Sequence, residues 1–145
     1  MAANESRKYL IDTNILISGL LFNGNERDLL KLGRDQRLTL LTLDHILREF
    51  EAVLREKFEF TPQDLEVALS YILEAFETII VFEESDLSTS DIDIWDRKNL
   101  HVIIAAKKSQ AVIITGDGDL LDQDLPVLIR RCREVLDDIS GSGSL

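Results

Sequence analysis

The side chains whose types and positions could do chemistry in this sequence are acidic. Asp12 ends the apolar run Tyr9-Leu10-Ile11, and Asp117 follows Ala111-Val112-Ile113-Ile114-Thr115-Gly116. Each carboxylate falls where a strand is expected to stop. Two carboxylates brought side by side repel unless something positive lies between them. Oxygen donors with water positions left open suit Mg²⁺ or Mn²⁺. Such an ion orients a water, lowers its pKa and takes up charge on a phosphoryl group, which makes phosphodiester hydrolysis the natural reaction class. Nothing points to zinc, because Cys132 is the one cysteine and His45 and His101 look isolated.

Each acid also has a simpler explanation. Asp12 suits the cap of a helix beginning at Asn14, and Asp96 the cap of one beginning at Arg97. Asp117 suits the tight turn Gly116-Asp117-Gly118-Asp119. Glu49 and Glu51 lie on opposite margins of an apolar helical stripe, and helical geometry does not choose between them. The joint arrangement says more than its parts, because open α/β sheets form their sites at the carboxyl ends of strands.

The elements that must deliver these acids alternate. Strands are expected at residues 8–11, 38–41, 78–82, 111–115 and 126–129. Helices are expected at 14–21, 26–34, from 44 to about 58, from 62 to about 75, at 97–108 and from 131 to about 139. Thr61-Pro62 is a strong helix start, with a cap followed by proline at the first helical position. Residues 83–93 are acidic and serine-rich, hence a loop, with Trp95 expected to pack it onto the body. Alternation of this kind predicts a parallel sheet with helices on both faces, a three-layer α/β/α fold. All strand ends then share one edge, where Asp12 and Asp117 should meet.

A chain of 145 residues is the size of a single domain, read here as 1–140 with a disordered tail at 141–145. No apolar run approaches the ~18 residues of a membrane span, and a lone cysteine fits a reducing cytoplasm. The net charge of −11 repels polyanions, so a nucleic-acid substrate would need metal ions and a basic partner to offset it. The loop after the first strand carries neither a dinucleotide fingerprint nor a phosphate-binding P-loop, and no nucleophile elbow occurs.

With these residues in view, the sequence resembles a PIN domain, in particular the toxin half of VapBC-type toxin–antitoxin pairs. The likeness runs from Lys8 to the terminal helix. It rests on Ile11-Asp12-Thr13-Asn14-Ile15-Leu16, on Ile46-Leu47-Arg48-Glu49-Phe50 with Val53-Leu54, and on Val112-Ile113-Ile114-Thr115-Gly116-Asp117-Gly118-Asp119-Leu120-Leu121. It implies a Mg²⁺- or Mn²⁺-dependent endoribonuclease acting on single-stranded or structured RNA and leaving a 5′-phosphate and a 3′-hydroxyl. Asp12, Glu49 and Asp117 then match the family's metal ligands, with Asp119 auxiliary, and the motif selects Glu49 over Glu51.

The fourth acidic position of the pattern falls on Asn99. Asn is nearly isosteric with Asp but neutral, so weaker metal binding and an attenuated or silenced enzyme are expected; Asp96, one turn earlier, is the alternative ligand. Asn14 and Thr115, and less strongly Ser18, are candidates to orient ligands or water. Arg48, Arg55, Arg97 and Lys98 are candidates to meet RNA phosphates. The resemblance further implies a cognate antitoxin placing a basic residue in the acidic pocket, and a homodimer through the apolar N-terminal helices. Two rival readings are a catalytically silent PIN module that binds RNA or a protein, and a phosphatase of the haloacid dehalogenase type. Asn14 stands where the phosphatase would need its second aspartate.

Overall fold

A computed structural model of the chain describes residues 7–83, 85, 97–121 and 127–141. Trp95 and Asp96, most of the expected loop, and residues 142–145 of the expected tail lie outside the described residues. Five strands, β1 (Lys8–Ile11), β2 (Thr39–Leu43), β3 (Thr78–Ile80), β4 (Val112–Ile114) and β5 (Ile129–Arg130), form one sheet in the order β3-β2-β1-β4-β5. Every pairing is parallel, so all carboxyl ends lie on one edge. The chain builds outward from β1 through β2 to β3, then returns to add β4 and β5 on the other side. The reversal lies between β1 and β4, which is where an open parallel sheet leaves its ligand crevice.

The helices are α1 (Thr13–Leu21), α2 (Asn25–Arg34), α3 (Asp44–Lys57), α4 (Pro62–Leu73), α5 (Arg97–Ser109), α6 (Gly118–Leu121) and α7 (Cys132–Gly141). Helix α1 packs on α2, α3 and α4, while α7 packs on α2; α5 lies against β1 and β4. The result is the three-layer α/β/α arrangement. The central strands carry its core: Leu10, Ile11, Ile113 and Ile114 are fully buried. Helix α3 adds Ile46, Phe50 and Leu54 at four-residue steps, each worth about 1.5–3 kcal/mol of transfer free energy. Thr61 and Asp64 form the expected start of α4 by capping each other's backbone N–H groups, at 3.1 and 3.0 Å.

Strand lengths differ from expectation for a common reason, the reach of the neighbouring strand. β2 runs on to Leu43 because β1 and β3 pair with it from both sides. β3 stops at Ile80, opposite Leu43, because β2 becomes helix at Asp44 and leaves Val81 no partner strand. β5 comes later than expected, with Ile129 and Arg130 level with Ile113 and Ile114. No helix among the described residues is long and apolar enough to cross a membrane.

Candidate active site

The register of β1 on β4 sets Ile11 beside Ile114, so Asp12 and Thr115 leave the sheet level with each other. The Asp12 backbone N–H still reaches the Ile114 carbonyl, at 3.2 Å. Asp12 Oδ1 accepts from the Thr13 N–H at 2.8 Å, capping α1. Its Oδ2 accepts from the Thr115 hydroxyl at 2.9 Å, and that hydroxyl accepts from the Asp117 N–H at 3.0 Å. One buried hydroxyl therefore ties the two strand-end aspartates together. The capping explanation of Asp12 is correct, and it leaves the carboxylate at the crevice.

A cleft of about 430 Å³ opens there, and Asp12, Glu49, Asn99 and Asp117 all line it. Helix α3 follows β2 with no intervening loop, which carries Glu49 to the cleft wall one turn beyond His45. Glu49 is exposed, Asp117 half-buried, and Asp12 and Asn99 are buried. Burial pushes the Asp12 carboxyl above its usual range. The hydrogen bonds from Thr115 and Thr13 oppose the shift, and the charges of Glu49 and Asp117 add to it. The carboxylates thus sense one another, although among the described residues no three His, Cys, Asp or Glu side chains are grouped closely enough to hold a metal by themselves.

Sequence reasoning missed the two histidines. His45, from the first turn of α3, and His101, from α5, both line the cleft. Their rings stack with centroids 4.2 Å apart and planes 26° apart, and Phe82 sets its ring edgewise against both, at 5.5 and 4.6 Å. They are not isolated; 56 positions of sequence concealed a ring contact. Asp44 anchors the group, its Oδ1 accepting from the backbone N–H of His45 at 2.8 Å and of Phe82 at 3.2 Å and lying 3.1 Å from His45 Nδ1. Burial alone would raise the Asp44 carboxyl, but these bonds outweigh it and hold it below its usual range. A signal was present in the apolar Ile79-Ile80-Val81-Phe82 run, which points an aromatic ring toward the strand-end edge.

Other candidates fare differently. Asn14 is exposed on the cleft, whereas Ser18 and Glu51 do not line it. Arg48 lies 3.6 Å from Asp44, and Arg55 lies 3.8 Å from Glu56. Asp96 and the side chains of Arg97, Lys98 and Asp119 lie outside the described residues. Lys57, not singled out from the sequence, lines the cleft at the far end of α3.

A search of curated proteins finds no match to the chain. Among solved structures, the crystal structure of VapBC2 from Rickettsia felis bound to a DNA fragment from their promoter has a similar fold. Its TM-score is 0.63 at 16% identity, covering 86% of this chain and 98% of that one. The family model described as PIN domain matches residues 8–119. That span carries β1 through β4 and the acids at their ends, and on it the chain belongs to the PIN domain family.

Proposed function

We propose that this chain is a divalent-metal-dependent endoribonuclease, the toxin of a toxin–antitoxin pair, with its activity reduced by Asn99. The observation that carries this reading is one cleft lined by Asp12, Glu49, Asp117 and Asn99 in a PIN chain, where the Asp12 carboxyl is raised by burial and by the other two charges. The donor set fits a hard cation. It is built of oxygens, and Thr13 adds to the cleft a buried hydroxyl that has no partner among the described residues. Glu49 and Asn14 are exposed on the cleft and leave it open to water, and Mg²⁺ keeps several waters beside the carboxylates that hold it. Asp12, Glu49 and Asp117 are the residues that would hold such an ion, which would supply positive charge to acidify a water and to offset charge on a phosphoryl group.

The chain's own residues do the rest. Thr115 holds Asp12 in one orientation, so the ligand need not be ordered when substrate arrives. Asn99 offers an amide oxygen where the family pattern has a carboxylate, and so contributes neither charge nor a base. Cleavage of single-stranded RNA in Mg²⁺, Mn²⁺ or chelator, by this chain and by Asn99→Asp, tests the reading. Asn99→Asp should cleave faster, by about 10²–10⁴-fold if the acid acts as a base. Absence of metal-dependent cleavage by both chains refutes a ribonuclease.

Pairing with an antitoxin belongs to the same proposal. It is supported by the fold likeness to VapBC2 and by a net charge of −11, which suits a basic partner. Homodimerisation through the N-terminal helices, supported by Phe22 exposed at the end of α1, and a cytoplasmic location complete it. Asn99 also favours a second reading, a silent module. Titration calorimetry with Mn²⁺ separates the two, because no heat of binding at millimolar metal would favour silence.

A further inference from the structure

The histidine cluster has no part in holding the acids, yet it faces the same cleft. Its construction is that of a fixed aromatic surface. Two rings from different elements stack, Phe82 buttresses both edgewise, and Asp44 bonds the backbone at two of the three. The His45 side chain is 38% exposed and His101 is half-buried, so the pair is not sealed in the core. Flat, partly polar rings suit stacking against another π-system and hydrogen bonding along its edge.

Helix α3 gives the surface a direction. His45, Glu49, Val53 and Lys57 follow one another at four-residue steps, and all line the cleft. Each step advances about 6 Å, so the row is about 18 Å long. The histidine lies one step to one side of Glu49, and Lys57 lies two steps to the other. Lys57 makes no ion pair within the described residues and is the lysine or arginine they set on this wall. In a chain of net charge −11, a cation beside clustered acids marks where an anion would lie.

We propose that this row is a binding track for single-stranded RNA, with a nucleobase stacked on the His45–His101 pair and a phosphate held by Lys57. The proposal rests on the ribonuclease reading and adds to it the place where base is read. His45 and His101 then govern which nucleotide flanks the cleavage point. Lys57 fixes the path of the backbone without regard to sequence.

The test is fluorescence anisotropy with short, labelled, single-stranded oligoribonucleotides bearing 2′-O-methyl sugars, which resist cleavage, and with abasic strands carrying the same phosphates. His101→Ala should weaken binding of the base-bearing strand about tenfold, the usual worth of one stacked base. It should leave the abasic strand unchanged, and His101→Phe should restore affinity. Lys57→Ala should weaken both strands alike and lower the slope of log affinity against log salt by about 0.7. If the unaltered chain binds the base-bearing strand and His101→Ala binds it equally well, the track fails while the ribonuclease reading stands. Equal losses on both strands from His101→Ala also overturn the track, because they mark a merely structural role. If His101→Ala weakens only a polyarginine peptide, the pair serves a protein partner and the proposal falls. If neither this chain nor Asn99→Asp binds or cuts any single strand, both readings fall together.

Discussion

Replacing Thr115 by valine tests the internal logic of the site without touching an acid. Valine keeps the shape of this fully buried side chain and removes its hydroxyl. Two bonds disappear, the 2.9 Å bond to Asp12 Oδ2 and the 3.0 Å bond from the Asp117 N–H. A hydrogen bond to a charged group contributes about 1.5–3 kcal/mol, and a buried partner left unpaired costs about 1–3 kcal/mol. Asp117 is only half-buried, so water recovers part of the second loss, and a destabilisation of about 3 kcal/mol is expected. Its pH dependence has a definite sign. The Thr115 bond lowers the Asp12 pKa, so Thr115→Val raises it further above the unfolded value. A raised carboxyl contributes stability that is present below the unfolded pKa and lost as pH rises through the folded pKa. The deficit of Thr115→Val should therefore widen from mildly acidic to neutral pH. Urea unfolding in chelator measures it, with Thr115→Ser, which keeps the hydroxyl, expected to recover most of the loss. A variant within about 0.5 kcal/mol of the parent at neutral pH, or a deficit that narrows as pH rises, would refute the reasoning.

Stabilisation by Mn²⁺, read as a rise in Tm, should grow with pH, because the proton that burial and neighbouring charges favour on Asp12 must leave before an ion binds. Asp117→Asn removes one of those charges and should move this dependence to lower pH. Gly33→Ala should destabilise the fold in urea despite a helix-propensity gain of about 1 kcal/mol. Its Cβ would lie 2.5 Å from the Ala75 carbonyl oxygen, a backbone atom that cannot swing aside, and overpacking costs about 1–3 kcal/mol. Gly19→Ala should cost less, because its nearest obstacle is the movable Leu30 side chain. Burial, with Glu26 and Asp28 nearby, pushes the Cys132 thiol up to about 12. A disulfide reagent should therefore label it only as the chain unfolds, and its contribution to stability should be lost as pH rises from the thiol's ordinary 9.0 through about 12.

The sheet was legible because its central strands are short apolar runs ending abruptly in polar residues, which also exposed Asp12 and Asp117 as strand stops. Strand lengths were not, because how far β3 runs depends on where β2 ends and not on the β-branched residues of β3 itself. Helix stops were partly hidden too. Gln36, Glu59 and Gln110, which follow α2, α3 and α5, take left-handed conformations with φ near +60° where glycine would have announced the turn. Choosing Glu49 over Glu51 required the family motif, since both flank the same stripe and only the way α3 lies against the sheet decides which flank meets the cleft. The histidine pair was illegible because no periodicity links a residue in the first turn of α3 to one on α5.

The hydroxyl bridge between Thr115 and Asp12 spans 103 positions of sequence. The N-terminal part supplies Asp12 and Glu49, but the proposed centre is complete only when β4 pairs beside β1 and brings Thr115 and Asp117 to them. The first hundred residues lack β4, and with it Asp117 and the Thr115 hydroxyl that orients Asp12. If the chain is the toxin proposed above, completion of β4 is the step that completes its acidic site, and an antitoxin present earlier in synthesis would meet a chain still lacking Asp117.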